Sequence, residues 1–193
     1  MRGRTHGHRG GDRAVVGVIA DTHGLLRPEA LIALSGVDLI VHAGDIGSPA
    51  ILTELGAIAP VIAVRGNNDR EAWAAPIPEI ATTELAGRRL YVIHDFKMLP
   101  ADPAALGADV IISGHSHRPS VQHRWSVVLL NPGSAGPRRF SLPIAVARLH
   151  LGPADPRVEI VELDVSGGPA KRRAGAGRRG LDVPTARGAV SRP

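Results

Sequence analysis

Short apolar runs alternate along the chain with segments in which apolar residues recur at helical spacing. The runs have the length and the β-branched content of strands, and turn-forming residues separate them. The predicted strands are Ala14–Ala20, Asp38–His42, Val61–Val64, Arg89–Ile93, Val110–Ser113, Ser126–Leu130, Ile144–Leu149 and Val158–Leu163. The stretch TTELAGRRLYVIH predicts a hairpin that turns at Ala86–Gly87.

Helical spacing is clearest in two segments of the first half of the chain. Pro28 and Pro49 open these segments, and Gly36 and Gly56 stand near their ends. Proline is tolerated in the first turn of a helix, and glycine commonly ends one. A third, shorter helix is predicted over Asp102–Leu106. The first half of the chain therefore has the order βαβαβ, and the second half is mostly β.

Several of the predicted strands are apolar throughout, without alternation. The runs VVGVIA and DVIISG are examples. Such runs are typical of strands that are covered on both faces of the sheet. We therefore expect a fold of the α/β class, with two packed sheets and helices on the outside.

Polar side chains follow several of these apolar runs at the point where each run ends. They are Asp21, His23, Asp45, Asn67, Asn68, Asp69, His94, His115 and His117. In open α/β sheets ligands bind outside the carboxyl ends of the strands, so we expect these side chains to converge. Carboxylate, amide and imidazole groups suit Mn, Fe, Ni, Co or Zn and argue against a calcium site. Their number exceeds what one ion needs, and two divalent ions that share a carboxylate fit it better.

The strings DTHG, GDI, GNND, GHSH and NPGS occur in this order, with His94 between the third and the fourth. Together they resemble the motifs of the calcineurin-like metallophosphoesterases, and above all the small single-domain phosphodiesterase branch of bacteria and archaea. The likeness spans about residues 14–150. It implies a four-layer α/β/β/α sandwich of two mixed sheets flanked by helices.

The same resemblance implies a role for each candidate ligand. One metal ion would be held by Asp21, His23 and His117, the other by Asn67, His94 and His115, and Asp45 would bridge the two. The implied enzyme is a phosphodiesterase in which a metal-bridging hydroxide attacks the phosphorus atom of the ester. Its cofactors would be two divalent ions, manganese first, with Ni, Fe, Co or Zn as alternatives. Its substrate would be a phosphate-ester small molecule or a nucleotide.

Asn68 and Asp69 are the candidate catalytic residues beside the ligands. Many members of the family have histidine where Asn68 stands, and that histidine is thought to assist departure of the leaving group. An amide donates a hydrogen bond but delivers no proton at neutral pH, so we expect a preference for esters with good leaving groups, diesters included. Asp69 is either a carboxylate that orients a ligand or a helix N-cap or turn residue. Asp95 follows His94 where the family usually shows glycine.

Three further residues have two interpretations each. His42 lies inside an apolar strand, where a hydrogen-bonded core histidine is expected more often than a ligand. Arg138 and Arg139 follow the NPGS turn and are either contacts to a substrate phosphate or an exposed, solvated pair.

Positive charge is concentrated at the two ends of the chain. The formal net charge is +5, of which residues 1–13 carry +3 and residues 166–193 carry +6, so that residues 14–165 carry −4. We therefore predict a domain over 14–165 between a basic flexible tail at 1–13 and a basic, Gly/Pro/Arg-rich disordered tail at 166–193. The aromatic residues of the chain all lie in the body, which gives the tails no base-stacking partners, and nucleic acid is not indicated as a partner of the body.

Composition narrows the remaining classes. Hydrophobic residues make up 44% of the chain, enough for a core, while aromatic residues make up only 3%, so the core must rest on Ala, Val, Leu and Ile. The absence of cysteine excludes disulfides and thiolate zinc sites and fits a reducing cytoplasm. No apolar run is long enough to span a bilayer. The alternatives to an enzyme are a non-catalytic protein-interaction scaffold of the same fold and a nucleic-acid-binding protein that acts through its tails.

Overall fold

The computed structural model describes residues 12–124 and 126–165. Its strands are β1 Ala14–Ile19, β2 Leu39–His42, β3 Val61–Ala63, β4 Ile80–Leu85, β5 Arg88–Ile93, β6 Val110–Ile112, β7 Ser120–Arg124, β8 Val127–Asn131, β9 Ala145–Leu151 and β10 Arg157–Glu162. The helices are α1 Pro28–Ala33 and α2 Pro49–Gly56, with 3₁₀ helices at Ala72–Ala74, Phe96–Met98 and Pro103–Leu106. Apart from Asp12 and Arg13, the two predicted tails lie outside the described residues.

The strands form two mixed sheets of five strands each. The first sheet has the order β10-β9-β1-β2-β3, with β1, β2 and β3 parallel and β9 and β10 antiparallel to their neighbours. The second has the order β4-β5-β6-β8-β7, with β5, β6 and β8 parallel between two antiparallel edge strands. The prediction of two mixed sheets is confirmed, and so is the β4–β5 hairpin.

Alternate residues of the central strands point into different apolar layers. In β6, Val110 and Ile112 pack between the two sheets, while Ile111 faces outward under the 3₁₀ turns. In β1, Val18 packs between the sheets and Ile19 packs beneath the helices. Each such buried side chain contributes about 1.5–3 kcal/mol relative to an exposed one. The result is the predicted sandwich: helices, sheet, sheet, and an outer layer of short helices.

The outer layers differ in their helices. Leu34 and Leu55, carried by the segments of α1 and α2, are fully buried against the first sheet. The second sheet is covered instead by the 3₁₀ segments, through Phe96 and Leu106 among others. The predicted helix at Asp102–Leu106 is observed as the 3₁₀ helix Pro103–Leu106, which Asp102 caps and Gly107 ends in left-handed backbone.

Strand β7 was not predicted from the sequence. Four of its five residues are exposed, and it pairs along one side only, with β8. An edge strand held by main-chain hydrogen bonds needs no apolar pattern, so the sequence gives no signal for it. Within the described residues, no helix is both long and apolar enough to cross a membrane.

Main-chain hydrogen bonds tie the loops at the carboxyl ends of the strands to one another. Asp21 N donates to Gly44 O at 3.0 Å, and His23 N donates to Asp45 O at 2.9 Å. In the second sheet Gly114 N donates to His94 O at 3.0 Å. Both sheets therefore hold their strand ends in fixed relation, and the polar residues of these loops share one crevice.

Candidate metal centre

The first group of candidate ligands comes from the loops after β1 and β6. The Nε2 atoms of His23 and His117 are 3.3 Å apart. Asp21 Oδ1 lies 3.4 Å from His117 Nε2 and 4.0 Å from His23 Nε2. An ion that binds N and O atoms at about 2.0–2.2 Å separates its ligand atoms by about 3–3.5 Å. Two of the three separations meet this spacing and the third, at 4.0 Å, exceeds it slightly, so these three side chains form a group that could hold one metal ion.

The second group comes from the loops after β3, β5 and β6. Asn67 Oδ1 lies 3.0 Å from His115 Nδ1 and 3.2 Å from His94 Nε2. The other ring nitrogen of His94, Nδ1, lies 2.7 Å from the carbonyl oxygen of Ala43. Since a carbonyl only accepts, Nδ1 carries a proton, and in the neutral ring Nε2 has the lone pair. Neutral His94 thus directs a lone pair toward the position beside Asn67 Oδ1.

Asp45 lies between the two groups. Its Oδ2 is 3.9 Å from His23 Nε2, in the first group, and 3.5 Å from His94 Nε2, in the second. Asp21, Asp45 and His94 also offer ligand atoms that all lie within 4.8 Å of one another. One carboxylate therefore reaches both groups, which is the position that a bridging ligand requires.

Most of the candidate ligands have left-handed backbone. Among the described residues, seven other than glycine have positive φ, and five of these are candidate ligands: Asp21 (53°), His23 (46°), Asp45 (53°), His115 (65°) and His117 (57°). Asp and His tolerate this region better than bulky residues, yet it costs about 1–2 kcal/mol each. Strain of this kind concentrates at functional sites, where the surrounding structure holds it in place.

Two glycines let the loops close on the ligands. A Cβ on Gly66 would contact the Asp45 carboxylate and its main-chain nitrogen, and a Cβ on Gly114 would lie 2.8 Å from Asp21 Oδ2. Real Cβ atoms do not approach other atoms so closely. The glycines of GNND and GHSH are therefore needed for space beside the two carboxylates.

Asp21 is a buried carboxylate without a hydrogen-bond donor. The residue is fully buried, and neither Oδ1 nor Oδ2 has a hydrogen-bond partner. Burial raises the pKa of Asp21 to about 7, against a smaller opposing effect of His94. An unpaired buried carboxylate is costly in a folded protein unless it binds a cation. The donor set and this orphaned group fit a metal ion.

The imidazoles nearest Asp21 are held neutral. Burial lowers the pKa of His117 to about 4, helped by the charges of His23 and Arg139. Burial also lowers the pKa of His23. A neutral imidazole keeps a lone pair for a metal, so both side chains are in the form that a ligand must have.

The groups around Asp45 carry charge more readily. Burial alone would raise the pKa of Asp45, but hydrogen bonds from His94 and Asn68 outweigh it and leave the pKa well below its usual range. Burial likewise opposes a charge on His94, yet Asp45 and the Ala43 carbonyl together raise the pKa of His94. Asp45 is therefore an anion throughout the neutral range, as a bridge between two cations would need to be.

Asn68 and Asp69 both contact the centre from behind the ligands. Asn68 Nδ2 donates to Asp45 Oδ2 at 2.7 Å, and its main-chain nitrogen donates to Asp45 Oδ1 at 2.9 Å. Asp69 is buried and accepts from three main-chain nitrogens, those of Ile46, Gly47 and Gly66, at 2.8–3.1 Å. Asn68 thus orients the Asp45 carboxylate, and Asp69 ties the loop after β3 to the loop after β2.

His42 belongs to a network that the strand pattern did not reveal. Its Nε2 lies 2.9 Å from Thr22 Oγ1, which donates onward to Ile46 O, and its Nδ1 accepts from Gly44 N at 3.2 Å. Since the threonine proton is used for Ile46, Nε2–H of His42 donates to Thr22. His42 is the hydrogen-bonded core histidine expected from its place in an apolar strand, and it connects the loops that carry Asp21 and Asp45.

The NPGS turn supports the loops from the other side. Asn131 Nδ2 donates to Gly114 O and to Ser116 Oγ, while Ser134 Oγ donates to Asp21 O at 3.0 Å. The NPGS string contributed to the resemblance, but no role was predicted for Asn131 or Ser134 from the sequence. The signal that could have indicated their role is that both are polar residues in a turn of a matching motif.

The two arginines after that turn are directed differently. Arg138 donates to Leu142 O at 3.4 Å and lines a separate pocket. Arg139 lines the pocket of about 320 Å³ that contains His23, Asp45 and His117. Of the pair, only Arg139 borders the candidate centre.

Asp95 has a structural role and a polar contact. Its Oδ1 accepts from Lys97 N at 3.0 Å and so caps the 3₁₀ helix Phe96–Met98. Its Oδ2 lies 3.6 Å from His115 Nε2, the ring atom on the far side from Asn67. A carboxylate behind an imidazole ligand holds the ring in a fixed orientation.

Several known proteins are similar in sequence to this chain over the residues that carry the candidate ligands. The model of the calcineurin-like phosphoesterase superfamily domain matches residues 15–153, which include every candidate ligand. The chain is 43% identical over 141 positions to a "Probable metallophosphoesterase" of Methanothermobacter thermautotrophicus, with 67% of this chain and 81% of that protein covered. It is 32% identical over 142 positions to phosphodiesterase YfcE of Escherichia coli (strain K12), with 60% of this chain and 76% of that protein covered.

Among solved structures, Vps29 of Chaetomium thermophilum has a TM-score of 0.63 to this chain at 20% identity. The alignment covers 77% of this chain and 97% of that one. At such low identity the likeness concerns the fold, and it supports the sandwich described above.

Proposed function

This chain belongs to the calcineurin-like phosphoesterase superfamily, and from that premise we propose that it hydrolyses phosphate diesters at a centre of two divalent metal ions. Manganese is our first choice of ion, because the donor set combines carboxylate and amide oxygens with four imidazoles. One ion would be held by Asp21, His23 and His117, the other by Asn67, His94 and His115, with Asp45 as the bridge. When bound, such a pair activates water and offsets the negative charge that grows on the phosphoryl oxygens.

The observation that carries the proposal is the position of Asp45. Its Oδ2 lies within 4 Å of donor nitrogens of both groups, His23 Nε2 and His94 Nε2. A carboxylate within reach of ligand atoms of both groups is the arrangement that a shared metal ligand requires. Asn68 keeps the carboxylate in this position by two hydrogen bonds.

The chain's own residues prepare the site for an anionic substrate. Asp21 and Asp45 are the only carboxylates among the candidate ligands. Two dications bound there would therefore leave the centre with a net positive charge. Arg139 at the rim of the same pocket adds another positive charge. A phosphate ester is therefore attracted to the pocket, and Arg139 is placed to bind a phosphoryl oxygen.

The absence of a proton donor at Asn68 favours diesters with good leaving groups. The Asn68 amide donates to Asp45, and it has no proton to deliver at neutral pH. Departure of an alkoxide therefore goes unassisted by this residue, whereas a phenolate leaves without a proton.

The test combines metal analysis with turnover. Protein stripped by a chelator and reloaded with Mn, Ni, Co, Zn or Mg is assayed with bis(p-nitrophenyl) phosphate, and bound metal is measured by mass spectrometry. We expect two ions per chain and turnover that disappears on chelation and returns with metal. Mg should support least activity, because it prefers oxygen ligands.

The substitution Asp45→Asn tests the proposed bridging carboxylate while leaving the fold intact. We expect it to lower turnover by at least about 100-fold and to reduce the amount of bound metal, because loss of a metal ligand weakens both metal affinity and activity. The matched control is Asp155→Asn, an exposed carboxylate near the start of β1, at the opposite end of that strand from the site. Full turnover by rigorously metal-free protein would contradict the proposal, and a metal content near zero with no turnover would favour the non-catalytic scaffold.

A further inference from the structure

A second groove opens beside the candidate centre. It has a volume of about 380 Å³ and shares Asn67, His94 and His115 with the second group of candidate ligands. Asn67 and His115 also line the pocket that contains Arg139. The two cavities therefore adjoin along these two residues.

The groove has an apolar wall made by Ile80, Ile93 and Met98. We call it the Ile80–Met98 groove. Ile80 at the start of β4 is 46% exposed, and Met98 at the end of its 3₁₀ helix is 74% exposed. Methionine is a flexible side chain with a polarisable sulfur, and it adapts to apolar and aromatic partners. Both side chains thus offer apolar surface beside the ligands.

The groove offers no unpaired positive charge from an arginine or lysine, because Arg65 is already paired. Arg65 Nη2 and Glu79 Oε1 are 2.7 Å apart, so the one cation of the lining is matched by an anion. Asp95 adds a negative charge next to His115. A second phosphate would be repelled there, whereas an uncharged group would lose little by entering.

We propose that the Ile80–Met98 groove binds one uncharged, apolar or aromatic ester arm of a phosphate diester whose phosphorus lies at the candidate centre. This inference rests on the proposed function and specifies its substrate class. A diester has two organic arms, and the structure provides two adjoining cavities of different chemistry, one with Arg139 and one with Met98.

The chain offers a direct reporter of this groove. Its only methionines are Met1 and Met98, so labelling with ¹³C-methyl methionine gives one signal from the groove and one from the chain's amino end. The protein is loaded with Zn²⁺, which is diamagnetic, and titrated with phenylphosphonate or methylphosphonate, neither of which is hydrolysed. We expect phenylphosphonate to shift the Met98 signal and to bind more tightly than methylphosphonate. Methylphosphonate, which carries the same phosphonate group without the aromatic arm, is the matched control.

Kinetics with matched esters give the second measurement. Bis(p-nitrophenyl) phosphate, p-nitrophenyl methyl phosphate and p-nitrophenyl phosphate share one leaving group and differ in the other arm. We expect Met98→Ser to raise the KM for bis(p-nitrophenyl) phosphate about fourfold, the loss expected when about one CH₂ group's worth of apolar contact disappears, with kcat little changed. Ile32→Ser is the matched control, because Ile32 is 73% exposed on α1, away from both cavities.

The outcomes separate the groove from the proposed function. A loss confined to bis(p-nitrophenyl) phosphate supports the groove as the site of the retained arm, and an equal loss with all three esters supports it as the site of the leaving arm. Hydrolysis by the wild type together with an unmoved Met98 signal and a Met98→Ser variant equal to Ile32→Ser overturns the groove alone. If no ester is hydrolysed and neither phosphonate binds, the proposed function fails.

Discussion

In the proposed mechanism, Asn68 stands where a proton donor would assist departure of the leaving group. Its amide donates to Asp45 Oδ2, and because a carboxylate only accepts, the orientation of the amide is fixed by this contact. The residue therefore orients the Asp45 carboxylate and has no proton to deliver at neutral pH.

Asn68→His should extend the enzyme to poor leaving groups. An imidazole can deliver a proton in the transition state, so we expect kcat/KM for alkyl esters to rise by at least about tenfold relative to nitrophenyl esters. A series of diesters with leaving groups of increasing pKa measures the change as a shallower dependence of rate on that pKa. Asn68→Ala, which removes the hydrogen bond without adding an acid, is the control. An unchanged rate with alkyl esters would disprove the role assigned to this position.

His42 makes the stability of the folded chain sensitive to acid. Burial lowers the pKa of His42 to about 4, against an ordinary value of 6.5. Above pH 6.5 the residue is neutral in both states; between pH 6.5 and 4 the unfolded chain binds a proton that the folded chain does not. The contribution of His42 to stability is therefore complete above pH 6.5 and is lost as the pH falls toward 4.

Urea unfolding of metal-stripped protein at several pH values measures this effect. The free energy of unfolding of the wild type should fall more steeply than that of His42→Gln between pH 6.5 and 4, by up to about 1.4 kcal/mol per pH unit. The difference between the two proteins cancels other titrating groups, Asp21 included. Parallel pH profiles would mean that His42 is not kept neutral by burial.

At the scale of elements, the site depends on how the strands end. The loops after β1, β2 and β6 deliver their candidate ligands from left-handed backbone, and the loops bond to one another through main-chain groups and through Asp69. Glycine at 66 lets the loop after β3 lie against the Asp45 carboxylate. The loops therefore form one unit with little free space.

Gly66→Ala should disrupt that unit. The added Cβ meets the Asp45 carboxylate and main chain, so the loops must move apart. We expect a loss of about 1–3 kcal/mol in the free energy of unfolding and weaker metal binding, measured by urea denaturation and by metal titration.

Gly56→Ala is the control for Gly66→Ala. Gly56 ends α2 with nothing within 4 Å of an added Cβ, and alanine there should stabilise the protein by about 0.5–1 kcal/mol without changing metal affinity. Equal effects of the two substitutions would contradict the close packing inferred at Gly66.

At the scale of the whole molecule, metal binding and folding are linked. The candidate ligands lie between positions 21 and 117 and come from both sheets, so the complete set exists only in the folded chain. A ligand that binds the folded state alone stabilises it by mass action. The unpaired Asp21 carboxylate adds to this effect, because its burial is costly until a cation is bound.

Calorimetry at graded metal concentrations should reveal this linkage. At free metal 100 times the dissociation constant, one site raises the free energy of unfolding by about 2.7 kcal/mol, and the Tm rises with metal concentration. Asp45→Asn should show a reduced rise and Asp155→Asn an unreduced one. A Tm that is independent of metal in the wild type would contradict a site shared between the two sheets.

The sequence by itself determined the α/β class, the two mixed sheets and the family, because strand periodicity and the motif strings are local signals. It also predicted that Asp21, Asp45 and His94 converge, because ligands bind outside the carboxyl ends of the strands in α/β sheets, while the packing of the two sheets that brings His94 to the other two residues is a tertiary feature. Their roles as ligands, like the two basic tails, remain predictions.

Only the tertiary structure decided the rest. The Thr22–His42 link, the main-chain contacts of Asp69 and the exposed wall of Met98 join residues far apart in sequence, which no local pattern encodes. Strand β7 could likewise not be predicted from the sequence, because it is held by hydrogen bonds to the main chain of β8 and has no apolar face of its own. The candidate ligands at the strand ends can be recognised from short sequence motifs. The cavities and contacts around them arise from packing between segments that are distant in sequence, and only the tertiary structure shows them.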